Sequence, residues 1–117
     1  MTDKINVRFK DFDNNNGVVP MFGFAFENYC DKYKLTKEEA AGTSAVGIIL
    51  ENSDTYEEID EFISEQTKLK ENIIIFDISN IVSASIIEHV FQNKFFEEYE
   101  ELPNVYEDRL VFVRKPI

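Results

Sequence analysis

Asn72-Ile73-Ile74-Ile75-Phe76-Asp77 is the stretch on which the fold turns. Its unbroken apolar run ending at a carboxylate predicts a strand covered on both faces. Just upstream, Tyr56, Ile59, Ile63 and Gln66 recur at three, four and three, with Phe62 beside them, which predicts an amphipathic helix. Asp54 and Glu57 have the spacing of its N-terminal cap, and a Lys-rich turn over 68–72 closes it. Downstream, Ser85 and Glu88 repeat the capping spacing. The helix behind them is predicted to carry Ile87, Val90, Phe91, Phe95, Tyr99 and Leu102 on one side and to stop at Pro103-Asn104. Leu110-Val111-Phe112-Val113 reads as a last strand.

Toward the N-terminus, Ile5, Val7 and Phe9 alternate with Asn6, Arg8 and Lys10, the pattern of a half-exposed strand over 4–10. Turn formers over 11–17 break it. Pro20 opens a helix over about 20–34, striped by Phe22, Phe26, Tyr29 and Tyr33. Gly23 and the alternation of Phe22, Phe24 and Phe26 leave a strand as the rival for its beginning. Thr36 and Glu39 form a second capping pair, flanked by Leu35 and Ala40, and Gly42 weakens the helix they start. Residues 42–52, with Val46-Gly47-Ile48-Ile49-Leu50 at their heart, fit either a buried strand or a helix. The expectation is a single domain, 1–117, of α/β or α+β class, with one sheet of about four strands and three to four helices packed against it.

Composition agrees. A chain of 117 residues with 44% apolar residues and eleven Phe can bury a core, so disorder is a poor reading of the whole despite the heavy charge. The one cysteine, Cys30, can form no internal disulfide. The start Met1-Thr2-Asp3-Lys4 lacks a signal-peptide pattern, and no apolar run reaches the ~20 residues that span a bilayer. A cytoplasmic location is expected. The net charge of −11 opposes nucleic acid and anionic membranes as partners.

Catalytic and metal-binding patterns fare poorly. Asp11, Asp13 and Asn15 invite a calcium loop, but its sixth and twelfth positions hold Asn16 and Phe22 in place of Gly and Glu. His89 is the only histidine, which rules out a histidine metal cluster. Cys30 abuts the aromatic stripe of its helix and reads as core, and an acidic chain offers little to activate a thiol. None of the glycines at 17, 23, 42 and 47 forms a phosphate loop. Asp77, ending the buried strand, is the best acid/base candidate, and its simpler reading is a hydrogen-bond partner for the loop over 79–85. No catalytic residue, metal or cofactor is expected, and a pocket holding both Asp77 and His89 would reopen the question.

Charge distribution says more. Nine acids and no Lys or Arg lie between Glu38 and Thr67, and Glu97, Glu98, Glu100, Glu101, Glu107 and Asp108 follow without an intervening base. Like charges at helical spacing destabilise, so such stacking calls for a reason. A basic protein partner supplies one, because complementary fields speed association and reject wrong partners.

Ile73 to Ile78 as strand, Asp77-Ile78-Ser79-Asn80-Ile81, a serine-capped helix and the strand from Leu110 to Val113 together resemble a STAS domain, the fold of anti-sigma-factor antagonists. The resemblance covers 72–113. It implies an α/β sandwich and, at Ser83 or Ser85, a phosphorylation site, although Ser83-Ala84-Ser85-Ile86 stands where that family has Asp-Ser-Ser/Thr-Gly.

The leading expectation is therefore a non-enzymatic bacterial immunity protein. It would neutralise a basic nuclease-type toxin through Glu57, Glu58, Glu61, Glu97, Glu98 and Glu101, with exposed Tyr residues as anchors. The alternatives are a phage-encoded inhibitor of a nucleic-acid-handling enzyme, whose carboxylates stand in for phosphates, and a STAS-like signalling module.

Overall fold

All five residues of the strand Ile73–Asp77 are buried. They sit at the centre of a mixed sheet in a computed structural model that describes residues 4–8, 20–40, 42–80, 82–102 and 109–114. The elements run β1 (Ile5–Arg8), α1 (Pro20–Tyr33), α2 (Lys37–Ala40), β2 (Ser44–Ile49), α3 (Tyr56–Lys68), β3 (Ile73–Asp77), α4 (Ala84–Phe91), a 3-10 turn (Lys94–Phe96), β4 (Tyr99–Glu101) and β5 (Arg109–Arg114). The class is α+β, with four helices and one five-stranded sheet ordered β1-β2-β3-β5-β4 among the described residues. Among the described residues only β2 and β3 are parallel, joined by the crossover helix α3, and the other pairings are antiparallel.

Side-chain alternation along β3 divides the core. Ile74 and Phe76 join Val46, Ile48, Leu110 and Phe112 on one face, under Ile59, Phe62 and Ile63 of α3 and Ile86 and Val90 of α4. Ile73 and Ile75 join Ala45, Val111 and Val113 on the other, under Ala25, Phe26 and Tyr29 of α1. Phe76 is the hub of the first face: its ring meets Phe62, Phe96 and Phe112 edge-on at centroid distances of 5.7, 6.3 and 6.0 Å. Such pairs are worth roughly 1 kcal/mol beyond area burial.

The sequence leaves 42–52 open, and they contain strand β2; parallel pairing with β3 decides the matter. The start of α1 is helix, so Phe22-Gly23-Phe24 does not form the rival strand. Two expectations need correction. The cap of α3 is Thr55 with Glu58, one residue beyond the predicted pair. Thr55 Oγ1 accepts the Glu58 N–H at 3.1 Å, and the Glu58 carboxylate accepts the Thr55 N–H at 3.2 Å. Asp54 instead closes the preceding turn, accepting the Glu51 N–H at 2.8 Å. The pair Thr36 and Glu39 does cap as predicted, at 3.2 and 3.1 Å.

The second correction concerns the helix predicted behind a Ser85–Glu88 cap and running up to Pro103; Ser85 lies inside α4 and does not cap it. α4 starts after Ser83, whose side chain makes no cap bond, and ends at Phe91. The Asn93 side chain then accepts the Phe95 N–H at 3.1 Å and starts a 3-10 turn, and β4 pairs with β5. Phe91, Phe95 and Tyr99 repeat at helical spacing by coincidence; an edge strand won because it gives Tyr99 and its neighbours backbone partners in the sheet. The predicted turn over 11–17, the stop at Pro103-Asn104 and the acids Glu107 and Asp108 lie outside the described residues.

Tyr99 is buried, and its hydroxyl donates to the Glu71 carbonyl at 2.5 Å. Burial pushes the phenol up to about 12 from its ordinary 10.0. Its contribution to stability is therefore complete below pH 10 and lost as pH rises through about 12. Urea unfolding of Tyr99→Phe is expected to show a loss of about 1 kcal/mol at neutral pH and a shallower alkaline decline than the parent. Identical alkaline slopes would contradict this assignment.

Candidate partner-binding surface

The six carboxylates singled out in the sequence fall on two elements, α3 and the segment that leads into and forms β4. Lys68 and Lys94 line a single cleft with Thr67, Phe95, Glu97, Glu98 and Tyr99, placing two ammonium groups where α3 approaches the β4 segment. Glu57 lies eleven residues before Lys68, roughly 16 Å along the helix. Glu97, Glu98 and Glu101 belong with the edge strand instead. There Arg114 approaches Glu98 at 3.7 Å, and Lys32 holds Glu100 at 3.1 Å. Charge on an edge strand also discourages pairing with another chain. Burial raises the Glu101 carboxyl above its ordinary range.

Helical spacing sorts the acids of α3 into three rows. Glu58 and Glu65 lie on the flank toward β1, where Lys4 meets Glu65 at 3.3 Å. Glu58 is occupied by its cap: the Thr55 backbone N–H, assisted by the Thr55 hydroxyl, holds this carboxyl below its ordinary range. Glu57 and Glu61 form the outward ridge, exposed and with no ion pair within 4.0 Å among the described residues; Glu61 lines a cleft with Lys68. Asp60 is turned toward α4.

Sequence reasoning missed the group that Asp60 organises. Its Oδ1 accepts hydrogen bonds from His89 Nε2 at 2.8 Å and from Asn93 Nδ2 at 2.7 Å. The Tyr56 ring lies flat on the His89 imidazole, with centroids 4.1 Å apart and planes at 5°. His89 is thus no isolated surface histidine. Its signal in the sequence is the run Tyr56 to Glu61, but the partners stand 29 residues apart and no local pattern links them. Tyr56 also departs from its predicted place in the apolar stripe, being 47% exposed.

The remaining candidates resolve simply. Asp77 accepts the Ser79 N–H at 2.8 Å and faces Arg109 at 3.8 Å, the hydrogen-bonding part foreseen for it. The cavity beside His89 is lined by Asp60, His89, Gln92, Asn93, Lys94 and Phe95 and does not include Asp77. Cys30 packs partly buried against the core of the α1 face, and burial followed by the Asp31 charge pushes its thiol up. Ser83 and Ser85 are exposed at the start of α4, their hydroxyls 3.1 Å apart. Among the described residues no group of three or more His, Cys, Asp or Glu is placed to hold a metal ion, and no helix is long and apolar enough to cross a membrane.

No family model, curated protein or solved structure matches the chain, so the surface is read on its own geometry.

A double-mutant cycle tests whether the seam is a coupled unit. Asp60→Ala and His89→Ala are expected to show a stability coupling of about 1 kcal/mol at neutral pH, measured by urea unfolding. Additive losses would mean that the contact contributes nothing to the fold.

Proposed function

We propose that the chain is a non-enzymatic, acidic inhibitor of the immunity type, which neutralises a basic, nuclease-type protein by covering its cationic cleft. One observation carries the reading. Glu57 and Glu61 on α3 and Glu88 on α4 are exposed and outside any ion pair among the described residues, and the aromatic rings of Tyr56 and Phe91 are exposed on the same two helices. Carboxylates steer a cationic partner into contact, and aromatic groups supply contact energy once water is excluded. The bacterial toxin and the nucleic-acid-handling enzyme attacked by a phage inhibitor present the same chemistry, a positive cleft made for phosphates. The surface therefore serves either. Of the six carboxylates named from the sequence, Glu57 and Glu61 become the centre of the contact. Glu58 is reserved for the cap, Glu97 and Glu98 share a cleft with Lys68 and Lys94, and Glu101 belongs to β4.

The test is kinetic. A partner recovered from the producing cell by affinity capture is expected to associate about tenfold or more slowly at physiological than at low salt. Glu57→Lys combined with Glu61→Lys should slow it further at low salt. Association indifferent to salt and to these reversals removes the proposal.

A further inference from the structure

Acidity alone does not require the arrangement in the seam between α3 and α4. Both hydrogen bonds to Asp60 fall on Oδ1, leaving Oδ2 without a partner among the described residues on a side chain that is 45% exposed. Beside this open acceptor lies the His89 ring, which lines the cavity with Asp60 and is stacked on the Tyr56 ring. The cavity alongside has a volume of about 260 Å³.

We infer that this seam is an anchor pocket for one arginine side chain of a basic protein partner. The inference rests on the proposed function and names what the centre of the contact recognises. A guanidinium is planar, stacks on aromatic faces and presents its donors as a fork, so stacking and bonding to a carboxylate proceed together. An ammonium group meets the charge but gains neither the stacking nor the fork. Selectivity for arginine over lysine is thus the property that separates a pocket from a merely negative surface. Lys94, at the cavity rim, opposes a cation. Its Nζ lies over the Phe95 ring at 5.4 Å, and Glu57, Asp60, Glu61 and Glu88 outnumber it on the two helices.

The experiment uses the full chain and two blocked peptides of equal charge, acetyl-Arg-Arg-Arg-amide and acetyl-Lys-Lys-Lys-amide, at low salt. With one histidine in the chain, the imidazole Cε1–H proton resonance reports on the seam unambiguously. The arginine peptide is expected to bind about tenfold tighter than the lysine peptide and to shift that resonance. The preference should disappear in Asp60→Asn and, independently, in Tyr56→Leu, which leaves the carboxylate in place. Equal binding of both peptides with an unmoved His89 resonance overturns the pocket and leaves the acidic-surface reading standing. Binding of neither peptide at low salt overturns both.

Discussion

The need to cover β3 on both faces governs this molecule. A strand whose five residues are all buried must lie between two layers, and the chain meets that demand with α3 and α4 on one side and α1 on the other. The crossover β2-α3-β3 then fixes where the functional groups emerge. With β2 and β3 parallel, the chain leaves both strands at the same end of the sheet. The Asn52 side chain ties the two exits by accepting the Ser83 N–H at 2.7 Å. The first turns of α3 and α4 therefore stand together, and the contact among Tyr56, Asp60 and His89 is a consequence of burying residues that never touch it.

Features that rest on period or on an apolar run are legible in the sequence: β3, the buried face of α3, the aromatic stripe of α1 and the strand at 110–113. Features that rest on choosing between local options are not. Asp54 and Thr55 are both good caps, and only the turn closed by Asp54 assigns the cap to Thr55. Asn93 ends a helical pattern whose spacing Phe95 and Tyr99 continue, because its side chain competes for the backbone. The seam is hidden for a different reason. His89 and Asp60 meet only through the tertiary fold, and each is ordinary in its own segment.

The acidity of the chain is plain from composition in its amount, but its arrangement is not. Many acids already have a structural task. Glu58 caps α3, Asp77 holds a turn and faces Arg109, Glu65 meets Lys4, and Glu100 meets Lys32. Glu97 and Glu98 share a cleft with Lys68 and Lys94. What survives this subtraction is smaller than a general acidic face but better defined, namely the ridge of Glu57 and Glu61 beside an aromatic and carboxylate seam. Glu61 is its least comfortable member, with Glu57 four residues before it, Glu58 three before and Glu65 four after. No requirement of the fold explains a carboxylate there.

An excess of like charge on α3 is the central claim, and the free protein tests it without any partner. Unfolding of Glu61→Gln and its parent in urea, at about 20 mM and about 500 mM salt, measures the repulsion directly. Crowded carboxylates should make the variant more stable than its parent by roughly 0.5 kcal/mol at low salt, with the gap closing at high salt. A variant less stable than its parent, or a gap that salt does not change, would show that Glu61 is compensated within the fold.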